Sequence, residues 1–379
     1  MGTLSWTLTI LAANGALTAL LLARARGNRT ANRFLSALVS LMSLRLAIYV
    51  LGFAGVYDDH PWLTFLPLDG SLAFGPLLWL YVVALTRSAL PAGWRLHLIP
   101  AALQLGYYGL AFALPLQAKL TWYRGPHLEI FEPIGLAALL LSSTTYLTLA
   151  WRRQRDYQRW LDDGFADREP WRLGWITWSV SAFGALVAIA AAATLVNVAV
   201  TPLDYFARTP VVIASSLVAY VLGLVGWHHA GLDLPAQPRR DLGEQPVAEE
   251  PAGPRPSRPA AAFARWAHRI EAEGWWREEG ITLGEVAKRL GVSERTLSRG
   301  LAEGGATSFN EFMNRLRVQA VIRALEGGVS GDLLAIAHGC GFSSKASFNR
   351  AFRRITGTTP SALRTDAAQL PPIRAVGVA

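Results

Sequence analysis

Hydrophobic positions along this chain follow two different patterns. Through the first 230 residues they form long uninterrupted runs, and from about residue 263 they recur at three- to five-residue steps with polar residues between. A helix needs about 20 apolar residues, with a usual range of about 17–25, to cross a bilayer. Seven runs meet that length: Thr3 to Ala23, Phe34 to Val56, Leu63 to Leu85, Leu96 to Leu116, Pro133 to Ala150, Gly174 to Val200 and Pro210 to Trp227. Further on, the spacing of Phe263, Trp266, Ile270 and Trp275 predicts amphipathic helix with one buried stripe. The stretch Leu234 to Ala262 between the two regimes is crowded with Pro, Ala, Arg and Glu and has no apolar period, which predicts an extended or disordered linker. Beyond Arg364 the chain has no pattern and reads as a loose tail. The expected organisation is therefore a membrane domain at 1–230, a linker at 231–262, a compact helical domain at 263–365 and a tail at 366–379. All elements are expected to be helical.

Charge sharpens this division. The chain carries 36 Lys and Arg against 27 Asp and Glu, a net charge of +9, although 52% of its residues are hydrophobic. Such a balance suits a membrane part joined to a part that meets nucleic acid. Basic residues also alternate between the loops of the apolar region. Arg24, Arg26, Arg29 and Arg33, then Arg87 and Arg95, then Arg152, Arg153, Arg155, Arg159, Arg168 and Arg172 lie in one set of loops, and only Lys119, Arg124 and Arg208 in the other. Cytoplasmic loops collect Lys and Arg, so seven spans would start outside and end in the cytoplasm. The first run has no basic residues before it, which fits an uncleaved span rather than a cleavable signal. The single cysteine, Cys340, excludes an intrachain disulfide and a cysteine zinc cluster.

Two helix-turn-helix patterns follow one another in the compact region. In the first, Thr282 and Glu285 have capping-box spacing, Ala287 is small where two helices must approach, Gly291 turns the chain and Ser293 caps the next helix. Leu297 and Leu301 then face inward, which leaves Arg295, Ser298 and Arg299 outward at i, i+3 and i+4. In the second, Ile336 and Ala337 pack inward, Gly341 turns, and Phe342, Phe348 and Phe352 form the core. Lys345, Ala346, Ser347, Asn349, Arg350 and Arg353 remain for a groove or its phosphates. A solvated basic face would explain one such unit, but tandem units favour double-stranded DNA read in the major groove.

Residues from about 263 to 364 resemble the DNA-binding domain of the AraC/XylS family of bacterial transcription regulators. The likeness rests on Ile336-Ala337, Gly341-Phe342, Ser344, Phe348, Arg350, Phe352, Gly357, Pro360 and Arg364, with Arg317 and Leu325 in a linking helix. Val321, Ala324 and Leu301 depart from the family pattern at packing positions. The resemblance implies seven helices, with one long helix at about 309–325 holding two reading helices in successive major grooves. It also implies that Arg295, Ser298, Arg299, Lys345, Ala346 and Arg350 face bases and phosphates. The apolar part resembles, more loosely, the multi-spanning region that some members carry, at Phe74 to Tyr81 and His97 to Pro100.

The expectation is an all-α chain: a seven-helix transmembrane bundle followed by a cytoplasmic double helix-turn-helix domain. Its expected partners are double-stranded DNA, the lipid bilayer, an unidentified signal, a second copy of the chain, and RNA polymerase if it activates. No catalytic residues, cofactor or metal site are expected, because no nucleotide-binding glycine loop, metal-ligand spacing or nucleophile–base pattern occurs. Within the apolar runs Arg45 and Asp69 are the candidate ligand residues, and a structural ion pair between them is the simpler reading. A transporter or receptor whose basic tail is only a docking module stands as the alternative. A membrane enzyme with a regulatory tail is a further rival, but it lacks any intramembrane His or carboxylate cluster.

Overall fold

The structure, a computed structural model, describes residues 3–167, 171, 174–199, 209–232, 234–237, 259–327, 332–360 and 362. Expectations for Arg364, the tail and most of the linker fall outside these residues. Every named element among them is helical, and the only β pairing is two isolated bridges. The chain divides into two compact units, one of Met1–Arg155 with Leu173–Arg239 and one of Asp156–Arg172 with Arg240–Ala379.

The first unit is built on α1 (Thr3–Arg24), α2 (Arg29–Phe53), α3 (Val56–Asp59), α4 (Phe74–Thr86), α5 (Ile99–Phe112) and α6 (Leu116–Trp122). A π-helical stretch, Tyr123–Phe131, leads into α7 (Glu132–Gly164), whose residues from Asp156 on fall in the second unit, and α8 (Gly174–Ala199) and α9 (Thr209–His228) complete the first. Among the described residues four helical stretches are long and apolar enough to cross a membrane: Ser5–Arg24, Arg29–Phe53, Leu116–Gly164 and Gly174–Ala193. Ser71–Thr86 and Ile213–His228 are shorter apolar helices. The expected third run is not one helix. Pro67 and Gly70 interrupt it, and a 3-10 turn at Ser71–Ala73 precedes α4. The fifth runs well past its expected end at Ala150. Residues 151–164 are rich in helix formers with an Arg159–Asp156 pair, so basic residues expected in a loop lie on α7 instead.

Small residues let α1, α2 and α9 approach closely. Gly15 of α1 lies against Ser43 of α2, Gly223 of α9 against Thr18 of α1, and Gly226 of α9 against Leu35 of α2. The Ser36 hydroxyl donates to the Ala19 carbonyl at 2.7 Å, tying α2 to α1. At the end of α4 the Thr86 carbonyl has no helical partner. Arg153 donates to it through Nη2 at 2.8 Å and to the Thr86 hydroxyl through Nε at 2.9 Å, while the Gln237 amide also donates to the carbonyl, at 3.2 Å. Gln237 falls where the sequence predicts a loose linker, yet its side-chain carbonyl also accepts from Arg153 Nη1 at 2.7 Å.

In the second unit the C-terminal helices are α10 (Pro259–Ala272), α11 (Leu283–Leu290), α12 (Glu294–Glu303), α13 (Phe309–Glu326), α14 (Leu333–Gly339) and α15 (Lys345–Thr356). Helix α10 begins inside the stretch expected to be linker. Its Trp266 and Phe263 pack closely against Gly300 of α12 and its cap Gly304, where a Cβ would collide with the rings. Helix α13 packs against α12, α14 and α15, and its Phe309, Phe312, Met313 and Val318 are buried in one core with Leu297, Phe348 and Phe352.

Candidate nucleic-acid interface

The two helix-turn-helix units repeat the same local structure fifty residues apart. Thr282 caps α11 in a reciprocal capping box with Glu285, and Asp332 caps α14 through a bond from the Leu334 amide at 3.2 Å. The Val292 amide closes the first turn on the Ala287 carbonyl at 3.0 Å, and the Phe342 amide closes the second on Ala337 at 3.1 Å. Gly291 and Gly341 occupy the intervening left-handed positions, with φ of 72° and 84°.

The two glycines differ in what surrounds them. No atom would crowd a side chain at Gly291, so only its backbone conformation matters. A Cβ on Gly341 would lie 2.8 Å from the Arg277 carbonyl and 2.9 Å from that of Trp276. The second turn therefore presses on the backbone that leads into the first unit. Below it, Arg317 of α13 is 1% exposed and donates to the carbonyls of Trp276 (Nε, 2.7 Å) and Glu278 (Nη2, 3.0 Å). Burial pushes its guanidinium down to about 10, so it remains a cation at neutral pH. The neighbouring Glu278 carboxylate is gripped by both terminal nitrogens of Arg289, at 2.6 and 2.8 Å, and this bond holds it below the ordinary glutamate range.

Both reading helices start on a serine cap. Ser293 accepts from the Thr296 amide and Ser344 from the Ser347 amide, each at 3.2 Å. Counting from these caps, Arg295 matches Ala346, Ser298 matches Asn349 and Arg299 matches Arg350. All six are exposed, as is Lys345, whereas Leu297, Leu301, Phe348 and Phe352 turn inward. Ser347 is half-buried, and its hydroxyl donates to the Ser344 carbonyl at 2.8 Å, so it serves the cap rather than the outer face. The exposed face of each helix thus carries an arginine near its middle, able to grip guanine O6 and N7 or a phosphate. Burial pushes the Cys340 thiol above its ordinary range, as suits a packing residue in the second turn. Among the described residues no group of His, Cys, Asp or Glu could hold a metal ion.

The candidate pair in the first unit, Arg45 and Asp69, is joined, with Nε 3.4 Å from the carboxylate. Asp69 also accepts from the Ser71 amide at 2.9 Å, and Gln104 of α5 donates to the Ser71 hydroxyl at 3.1 Å. The pair therefore joins α2 to the broken third run and to α5.

Residues 286–366 match the family described as a helix-turn-helix domain. Over 97 residues the chain is 32% identical to the HTH-type transcriptional activator RhaS of Pectobacterium carotovorum, covering 25% of this chain and 34% of that protein. It is 38% identical over 84 residues to the HTH-type transcriptional regulator RipA of Corynebacterium glutamicum, covering 22% of this chain and 25% of the relative. The probable transcription factor PqrA of Proteus vulgaris is 31% identical over 88 residues, which are 23% of this chain and 71% of PqrA. The chain thus spans about a third or less of the length of RhaS and RipA. No solved structure matches it.

Proposed function

We infer what this protein does from one premise: through its C-terminal domain the chain belongs to the AraC/XylS family of helix-turn-helix transcription regulators. It is a DNA-binding regulator. Our proposal is that it works from the membrane, reading an operator through α12 and α15 in response to a signal received by the apolar unit. The observation that carries the DNA reading is the recurrence of Arg299 and Arg350, each exposed and six residues past a serine cap, on two helices braced by α13. We assign base or phosphate contacts to Arg295, Ser298, Arg299, Lys345, Ala346, Asn349 and Arg350, with Ser347 acting through the cap.

Membrane placement is supported by the long apolar helices and by their outward surface. On those helices Leu141 and Trp178 are 71% and 80% exposed, and on the shorter α5 Leu103 and Leu110 are 70% and 77% exposed, a set that water would not favour and lipid would. The basic residues in alternate connections, together with those on the last turns of α7, support an external N-terminus and a cytoplasmic C-terminus. The linked Arg45 and Asp69 are the residues through which we propose the signal acts, since ionisable groups at depth are costly to keep. A second copy of the chain and RNA polymerase complete the proposed partners.

The test uses cells carrying the full chain with a C-terminal tag. Membrane fractionation should recover it with the inner membrane, and chromatin immunoprecipitation should recover discrete promoter sites that are lost in an Arg299→Ala/Arg350→Ala double variant. Reporter fusions after Arg240 should behave as cytoplasmic, and those after Asp59 and Arg124 as external. An external report at Arg240, or no enriched site, would overturn the reading.

A further inference from the structure

A segment from far upstream, Phe165–Asp167, packs on the C-terminal helices, with Ala166 inside their core. Where α7 ends at Gly164, the chain extends, and Phe165 forms an antiparallel bridge with Thr282, the cap of α11. The Ala166 amide donates to the Ile281 carbonyl at 3.1 Å. Asn310, in the first turn of α13, donates through Nδ2 to the Ala166 carbonyl at 2.8 Å and towards that of Phe165 at 3.4 Å. The Ser343 hydroxyl, next to the cap of α15, donates to the Asp167 carboxylate. Ala166 is completely buried within the domain's hydrophobic core, and Asp167 is 6% exposed and favours the charge on Arg317.

The receiving site is built for this segment. Asn310 is 4% exposed, and its carbonyl accepts from Asn314 Nδ2 at 2.9 Å, so the two amides form a buried chain that ends on the Ala166 carbonyl. A buried amide donor is costly without an acceptor, and the segment's backbone supplies it. Thr282, the extended cap of α11, bridges Phe165, and the preceding Ile281 carbonyl accepts from the Ala166 amide, the kind of main-chain pairing used in β-augmentation. The anchors are distributed: Ile281 and Thr282 belong to the first unit, Asn310 to the linking helix and Ser343 to the turn before the second reading helix.

We propose that Phe165–Asp167 is a clasp on the DNA-binding domain, an intramolecular docking site whose occupancy holds α12 and α15 at the separation needed to enter successive grooves. This rests on the reading of the domain as an operator binder. Tandem recognition needs both helices placed at once, and a brace that touches both units and α13 removes the freedom that binding would otherwise have to restrict. The clasp directly follows α7 in sequence.

The test uses the full chain in lipid nanodiscs, with a duplex selected from a random library by the wild-type chain. In a Cys340→Ser background, Phe165→Cys with Thr282→Cys places two thiols on bridge partners, whose Cα atoms lie about 4.5–5.5 Å apart, within disulfide range. Oxidation should form the intrachain disulfide and leave duplex affinity within about twofold of that of the same variant kept reduced. Ala166→Arg, which cannot be enclosed, should weaken binding at least about tenfold, whereas Ala166→Gly should not. If Ala166→Arg impairs folding, Asp167→Ala, which removes the Ser343 tie and the negative charge beside Arg317, should still weaken binding several-fold. Failure of the disulfide to form in protein that binds DNA would overturn the docking. Unchanged affinity in both Ala166→Arg and Asp167→Ala would overturn its role. Should the wild-type chain select no duplex, the operator-binding reading itself fails, while the disulfide reports the docking independently.

Discussion

Arg317 of the linking helix donates through Nε to the main-chain oxygen of Trp276 at 2.7 Å, and that bond joins the two halves of the DNA-binding domain. The Trp276 carbonyl lies in the turn between α10 and α11, and the same backbone is what Gly341 of the second unit presses against. One buried guanidinium therefore fixes a junction that neither helix-turn-helix unit could fix alone. Replacing Arg317 with Leu should cost about 1–3 kcal/mol for each carbonyl left without a donor, and Arg317→Lys, which can reach only one of them well, should cost less. Heating the full chain in detergent and following the protease resistance of its C-terminal domain measures this. Equal melting of the Leu and Lys variants would show that the fork geometry does not matter.

The turn glycines should respond differently to the same substitution. Asparagine tolerates the left-handed conformation, so Gly291→Asn should cost less than about 1 kcal/mol. Gly341→Asn meets the Arg277 and Trp276 backbone and should cost about 1–3 kcal/mol more through overpacking. The same protease-resistance assay distinguishes them, and comparable losses would contradict the close approach.

Operator affinity should divide between the reading helices. Arg299→Ala and Arg350→Ala should each weaken specific binding by about 1–3 kcal/mol if the side chain reads a base. A phosphate contact instead lowers affinity on every sequence and reduces the salt slope by about one. Titrations of selected and scrambled duplexes at several salt concentrations separate these cases, and no change in both variants would exclude the outer faces from DNA.

Acid should loosen the start of α13. Burial works to raise the Glu311 carboxyl, but bonds from the Thr307 hydroxyl and amide (the amide at 2.9 Å) and from Arg315 at 2.6 Å outweigh it and hold it below the ordinary glutamate range. A lowered folded-state value means the stabilisation is fully present above the unfolded-state range and is lost as pH falls through the lower folded value. Melting temperature measured from neutral to acidic pH should therefore fall less steeply for Glu311→Gln than for the wild type. Parallel profiles would show that Glu311 is not linked to folding.

By itself the sequence determined what depends on short-range order. Helix caps at Thr282 and Ser293, the glycine turns and the inward placement of Leu297, Phe348 and Phe352 follow from spacing along one helix or across one turn, and each is found where the pattern puts it. Exposure of Arg299 and Arg350 was legible for the same reason, since a helix with one buried face must present the other. Hydropathy located the apolar helices, but a composition average does not register local breaks, so it joined residues 63–85 across Pro67 and Gly70 and ended a helix at Ala150 that runs to Gly164. Tertiary structure alone decided the contacts between segments distant in the chain: Arg317 on Trp276, Gly341 against Arg277, Gln237 on Thr86, and Ala166 on Asn310. No periodicity encodes these. A buried carbonyl or amide must find a partner, and which one it finds depends on where the folded chain brings a donor or acceptor within reach.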